Sequence, residues 1–242
     1  MDASAFAQHY ALDQHHFWRL AKRRLLLSWL EAQPLHDRRL SILDIGSATS
    51  LWPLELSRLG EVVAMEPDRE AVEFAERQLG IQVLQGELPD DIPFEGPFDV
   101  VTLLDVLEHI DDDRAALDAI HRRLAPEGLL LLNVPALSWL WSGHDVVLHH
   151  KRRYHLEPLL ALLEERRFRV LRASYWTTAL LPLVMAQRLA SKLRRKEPTY
   201  DVRVPARPVN RLLSGVMQAE QLALRHVDLP IGSSIAVLCQ RR

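Results

Sequence analysis

The chain has 242 residues, 48% of them hydrophobic and 26% charged, a composition that excludes disordered and fibrous classes. That length suits a single large α/β domain with a substantial core. Thirty Lys and Arg against thirty-two Asp and Glu leave a formal charge of −2, so no whole-chain field points to nucleic acid.

The first residues, M-D-A-S-A-F-A-Q-H-Y, lack the basic start and apolar run of a secretory signal. No apolar run reaches the roughly 18 residues of a membrane span. The one cysteine, Cys239, has no partner for a disulfide or a metal cluster and fits a reducing compartment. A cytoplasmic protein is expected. In chain order, helical spacing over 16–30 predicts an amphipathic helix within an N-terminal helical segment, 1–35. Short β-rich runs then alternate with helical ones. Strands are predicted at 41–45, 61–65, 82–84, 98–103 and 129–134, with helices at 51–59, 69–79 and 114–124. Gly60, Gly80 and the stretch Ala125-Pro126-Glu127-Gly128 mark the breaks. This rhythm is that of a parallel sheet with crossover helices. Beyond a loop at 135–154 come a helix at 157–166 and a strand at 168–175. A partly helical insertion over about 176–230 follows, predicted to cap the carboxyl edge of the sheet, and then a last strand at 233–239.

In such a sheet, ligands bind outside the carboxyl ends of the strands, where strand order reverses. The first strand ends in Asp44-Ile45-Gly46. A carboxylate there is costly to bury without hydrogen bonds, and Gly46 allows positive φ and close backbone approach. The second strand ends in Glu66-Pro67, 20 residues beyond Gly46, where an acid can accept from both hydroxyls of a ribose. The third leads into Gly86-Glu87-Leu88, placing Glu87 to accept from an adenine amino group with Leu88 against the ring. The fourth runs F-D-V-V-T-L-L-D-V-L-E-H-I over 98–110.

In this order the pieces resemble the class I S-adenosylmethionine-dependent methyltransferases, in particular the small-molecule group. The likeness covers about 40–135 and includes the L-x-P-x-G-x-L pattern that begins at Leu124. It implies a Rossmann-like, seven-stranded, mostly parallel sheet in the order 3-2-1-4-5-7-6, with helices on both faces, and S-adenosyl-L-methionine as cofactor. It places Asp44, Gly46 and Ser47 at the methionine end, Glu66 and Pro67 at the ribose, and Gly86, Glu87 and Leu88 near adenine. Leu104 and Asp105 then line the methyl-donor pocket. The sequence departs from the family's D-x-G-x-G-x-G, because Ala48 and Ser50 stand where the later glycines would be. Ser50 can instead cap the helix beginning at Leu51. A hydride-transfer enzyme using NAD is the nearest rival, disfavoured because a pyrophosphate needs the glycine that Ala48 replaces.

The loop at 135–154 starts at the carboxyl end of a central strand, where functional loops sit. His144 or His149 can act as a general base oriented by Asp145. Trp141, Arg152, Arg153 and Tyr154 can hold an acceptor with apolar and anionic parts, or the basic pair and the tyrosine can instead tie the loop to the sheet. Asp105, Glu108 and His109 with His144 or His149 also have metal-ligand character, but no metal is expected. From Arg188 to Arg211, eight basic residues stand against Glu197 and Asp201, behind an apolar run that could meet a membrane surface or a lipid-like substrate. The expectation is a methyltransferase acting on a small-molecule acceptor, most readily at oxygen, without nucleic acid. The alternatives are a non-catalytic or membrane-surface module on the same fold and an RNA methyltransferase.

Overall fold

The structure, a computed structural model, describes residues 3–34, 38–46, 50–193 and 203–242. Seven strands are β1 (Leu40–Ile45), β2 (Gly60–Glu66), β3 (Gln82–Gln85), β4 (Phe98–Leu104), β5 (Leu124–Pro135), β6 (Phe168–Trp176) and β7 (Ser234–Arg241). They form one sheet in the order β3-β2-β1-β4-β5-β7-β6. Strands β1 to β5 run parallel, and β7 is antiparallel to both β5 and β6. Both the order and the mixed character match the predicted fold.

The central strands are apolar on both sides because helices cover both faces. Alternation along each strand divides the core. Ile42, Val100, Leu131, Ala236 and Leu238 face α2 (Phe17–Glu31) and α3 (Trp52–Leu56), and Ala64 and Val83 continue that face under α4 (Arg69–Leu79). Leu43, Val101, Leu103, Leu130, Leu132 and Val237 face α5 (Asp113–Arg123) and α7 (Leu156–Glu165). Local signals set the helix ends. Asp68 accepts from the amides of Glu70 and Ala71 at 2.9 and 3.2 Å and starts α4, which Gly80 ends at φ 64°. The break expected at 125–128 lies inside β5, as a register shift. Phe98 pairs with Leu124, and the next pair is Val100 with Leu129.

The remaining helices are α1 (Ala3–His15), α6 (Gly143–Val147), α8 (Leu181–Leu193) and α9 (Arg207–Leu224). The predicted cap over the carboxyl edge therefore divides in two. Helix α8 stays near that edge, where Arg188 donates to the Ser142 hydroxyl. Helix α9 instead lies on a sheet face beside α2. Its apolar stripe, the half-buried Leu213 with the buried Met217 and Leu224, recurs at helical spacing and joins the core under α2. Asn210 accepts from the Phe17 amide at 3.1 Å, and Gln221 donates to the Ala21 carbonyl at 2.7 Å.

Candidate active site

Strand order reverses between β1 and β4, and a small cleft of about 90 Å³ opens beside the carboxyl ends of β1, β2 and β3. Ile45, Met65, Leu88, Val106 and Ile110 form its apolar walls, with Gly46, Pro67, Gly86, Glu87 and His109 between them. Gly46 has φ 79°, its amide donates to the Met65 carbonyl at 2.8 Å, and a Cβ there would lie 2.3 Å from Val106 Cγ2. No other residue fits this backbone without displacing the wall. Gly86 is similarly pressed, since a Cβ would meet the Asp91 carbonyl oxygen at 2.6 Å. Glu66 is buried at the end of β2, and the exposed Glu87 is fixed by two backbone hydrogen bonds with Asp91, at 2.8 and 2.9 Å. Ser47 and Ala48 lie outside the described residues. Ser50 accepts from the Trp52 amide at 3.1 Å, but the helix starts one residue later than expected and its N-cap is Leu51, without a side-chain capping bond.

Asp44 turns out to be part of a buried relay. The Thr102 hydroxyl donates to its carboxylate, and the Trp52 indole donates to the same hydroxyl at 3.2 Å. Two further groups, unseen in the sequence, brace the site from the N-terminal helices. Asp13 accepts from the Leu51 amide at 2.7 Å, at the start of α3, and from Arg23. Lys22 donates to Asp105 Oδ2 at 2.7 Å. The other Asp105 oxygen accepts from Asn133 at 2.6 Å, and Asn133 Oδ1 accepts from the Trp176 indole at 2.8 Å. Trp176 stacks on Trp18 at 5.2 Å between ring centroids. Asp105 thus sits at the end of β4 as expected, beside Leu104, with φ 58° and its carboxylate engaged on both oxygens.

The loop after β5 departs from expectation. Arg152 donates to Asp113 at 2.8 Å and to the Asp111 carbonyl at 2.7 Å. Arg153 donates to Asp145 at 2.7 Å and to the Ala136 carbonyl at 2.9 Å. The buried Tyr154 hydroxyl donates to Asp113 at 3.1 Å, and burial, then Asp113, pushes its pKa up. All three side chains hold the loop on the scaffold, the second of the two roles weighed for them. Trp141 is half-buried at the loop's first turn.

The expected pairing of Asp145 with His144 or His149 is also not formed. Asp145 meets His150 instead, with Oδ1 3.1 Å from Nδ1, while its other oxygen accepts from the Ser142 amide at 2.9 Å. Burial opposes ionisation of Asp145, but His150 and Arg153 outweigh it and hold the carboxyl well below the usual range. The reason for the change of partner is local. Helix α6 ends after Val147, His149 takes φ 57° and is exposed, and His150 folds back with its amide on the Asp145 carbonyl at 2.9 Å. His144 is lowered to about 4 by burial and then by Arg188, which makes it a poor general base at neutral pH.

Beside His150 lies a polar group of three. Glu108 is fully buried, and neither of its carboxylate oxygens has a hydrogen-bond partner. Burial, then Asp105, raises its pKa well above the usual range. His150 Nε2 is 3.9 Å from Glu108 Oε1, and the His109 and His150 rings meet edge to face at 4.8 Å. His109 is exposed on the cleft side, yet the protein behind its ring and then His150 lower its pKa to about 4. One ligand atom from each of Glu108, His109 and His150 lies within 4.8 Å of the others. Among the described residues, those three form the group whose geometry could hold a metal ion. His144 and His149, weighed for that part, are not in the group.

A methyltransferase domain family matches residues 12–181. This span contains both the cleft and the polar group beside it. The chain belongs to that methyltransferase family. Among curated proteins, it is 33% identical over 98 residues to the ubiquinone biosynthesis O-methyltransferase of Azotobacter vinelandii, covering 40% of this chain and 35% of that protein. The mitochondrial enzyme of the same description from Schizosaccharomyces pombe is 32% identical over 100 residues, covering 38% and 36%. The chain thus matches about a third of the length of these relatives. Among solved structures, an S-adenosylmethionine-dependent methyltransferase from Mesorhizobium loti superposes with TM-score 0.58 at 14% identity, over 89% of this chain and 98% of that one. The [4+2]-cyclase SpnF superposes with TM-score 0.61 at 16% identity, over 98% and 92%. These likenesses show the fold.

Family membership implies S-adenosylmethionine as cofactor, and the cleft of this methyltransferase fits it. Gly46 leaves a cradle that a Cβ would fill. The apolar walls at Leu88, Val106 and Ile110 suit a flat purine, and Glu87 in the lining suits an amino group; Glu66, at the end of β2 beside the lining residue Pro67, accepts from the Asp68 amide at 3.4 Å. No helix among the described residues is long and apolar enough to cross a membrane.

Proposed function

We propose that this protein transfers a methyl group from S-adenosylmethionine to an oxygen of a small molecule. The bound cofactor supplies an electrophilic methyl on a sulfonium sulfur. The protein's own contribution is placement: Gly46, Glu66, Glu87 and Leu88 hold the cofactor, and Leu104 and Asp105 with Lys22 and Asn133 form the wall at its reactive end. Bringing acceptor and methyl into line supplies most of the acceleration for such a displacement. The observation that carries the reading is the Gly46 cradle at the β1/β4 reversal, with an acid at the end of each neighbouring strand. Two relatives carry the name O-methyltransferase. An oxygen acceptor is also favoured by His109 on the cleft lining, with His150 and the buried Glu108 behind it, polar groups suited to a hydroxyl.

Incubation of the protein with methyl-labelled cofactor and a small-molecule extract tests this. Label is expected in an organic-extractable product, at a level at least tenfold lower with Glu66→Ala. Label in RNA, or no product in any extract, contradicts it. A second reading, a module that docks on membrane, draws on α9. Val209, Leu212 and Leu222 are exposed there among Arg207, Arg211 and Arg225, the pattern of an interfacial helix. Cosedimentation with anionic vesicles, undiminished when no methyl transfer is found, would favour that reading.

A further inference from the structure

The amino edge of the sheet, opposite the cofactor cleft, carries a second and larger cavity. It lies where β5 and β6 begin and β7 ends, has a volume of about 480 Å³, and is lined by Pro126, Glu127, Arg169, Gln240, Arg241 and Arg242. A further arginine, Arg167, accepts the Arg242 amide on its carbonyl at 2.9 Å. Among the described residues, none of these four arginines is in an ion pair, although Glu127 stands in the same lining. The acids of the neighbouring helices are taken, Asp118 by Arg166 and Glu165 by Arg114 and Arg166. Cations at the ends of α5 and α7 can answer to the carbonyl ends of those helices, but Arg169 and Arg241 are on strands. Uncompensated like charge repels itself, and here it gathers in a chain whose formal charge is −2. A bound anion relieves that repulsion.

We propose that this cavity binds a compact oligophosphate, a chain of linked phosphates, through Arg169, Arg241 and Arg242. Strand pairing brings two guanidinium forks to it from opposite faces of the sheet. Arg241 pairs with Phe168, whose side chain lies in the core under α5 and α7. Arg169 pairs with Gln240, one residue along, and so belongs to the other face. Both forks are held from behind. Arg241 donates to the Leu124 carbonyl and Arg169 to the Gln240 side-chain oxygen, and the Gln240 amide donates to the Glu127 carbonyl at 3.1 Å. A guanidinium has five N–H groups, so these bonds leave donors for a ligand, and a fixed fork suits phosphate oxygens in pairs. Linked phosphates can meet forks from two sides, where a single phosphate meets one. The volume suits a small molecule, and with no aromatic side chain in the lining there is nothing for a base to stack on. His121 reports the local potential. Its ring meets Phe168 edge to face at 5.4 Å, its Nε2 is buried without a partner, and burial, then Arg241, lowers its pKa. The cavity and the cofactor cleft are at opposite edges of the sheet, so this binding does not rest on methyl transfer.

Calorimetric titration of tripolyphosphate into the full chain, with no tag at its carboxyl end and without cofactor, tests the site. One equivalent is expected, at an affinity that falls as salt is raised. Arg169→Gln, at an exposed side chain, and Arg241→Gln should each weaken binding by about tenfold, with circular dichroism confirming that both variants fold. Glu127→Gln should tighten it, because it removes the acid from the lining. Arg58→Gln, at an exposed arginine paired with Glu55, should leave affinity unchanged. The His121 pKa, followed by NMR, should rise on saturation as the anion offsets Arg241. ATP should bind no more tightly than tripolyphosphate. No saturable binding, affinity indifferent to both Arg169→Gln and Arg241→Gln, or affinity for single-stranded RNA that exceeds that for tripolyphosphate and grows with oligomer length would overturn the proposal. The last result would make this edge a nucleic-acid surface instead. Because the readout is binding of the phosphate chain alone, a failure of methyl transfer would leave the proposal standing.

Discussion

A single methyl group separates a working cleft from a blocked one at Gly46. Its φ of 79° and the 2.3 Å approach that a Cβ would make to Val106 predict that Gly46→Ala loses about 1–3 kcal/mol of stability and at least tenfold in cofactor affinity. Chemical denaturation and calorimetry with S-adenosylhomocysteine measure the two. Lys22 makes a different kind of contribution. It is nearly buried and neutralises Asp105 at 2.7 Å, so Lys22→Met leaves that carboxylate with Asn133 alone and should cost about 1–3 kcal/mol. Adding Asp105→Asn should restore part of the loss, and a double-mutant cycle reads the coupling directly. Gly46 was legible in the sequence because only a glycine makes sense after a strand that ends on a ligand site. Lys22 was not, since nothing local in an amphipathic helix says which of its cations will meet an acid 83 residues away.

At the scale of elements, the junction of α1 and α2 governs the start of the cofactor loop. Asp13 holds the Leu51 amide and Arg23, and His16 caps α2 by accepting from the Trp18 amide at 3.3 Å. Asp13→Ala strands a buried arginine and an amide, and a loss of about 3–5 kcal/mol is expected, together with weaker cofactor binding. His9 and His16 are both lowered to about 4, by burial and then by Arg19. The unfolded chain binds their protons near 6.5 and the folded chain only near 4. Their stabilisation is therefore complete above about pH 6.5 and is lost as pH falls through 4. Urea midpoints measured from pH 7 to pH 4 should decline, and less steeply in His16→Asn, which keeps a cap without titrating. The elements themselves were legible, because period-2 and 3.6-residue patterns survive in one dimension. The loop after β5 was not. Its chemistry depends on His149 adopting a left-handed backbone, which turns His150 rather than His149 onto Asp145.

For the whole molecule, the sheet order and the acids at the strand ends followed from sequence pattern and the family resemblance it carried, because parallel βα units leave few topologies open. The position of α9 did not follow. Whether an amphipathic insertion caps an edge or completes a face depends on which core is left uncovered, and here the α2 side was. The fold alone does not decide the chemistry, since SpnF, a [4+2]-cyclase, shares it. What the account requires is that the cleft binds the methyl donor. Calorimetric titration of S-adenosylhomocysteine into the full chain, with Glu66→Ala alongside, tests that most directly. Micromolar binding at one site, weakened at least tenfold in the variant, is the predicted result, and no heat at millimolar ligand, or binding indifferent to Glu66, would contradict it.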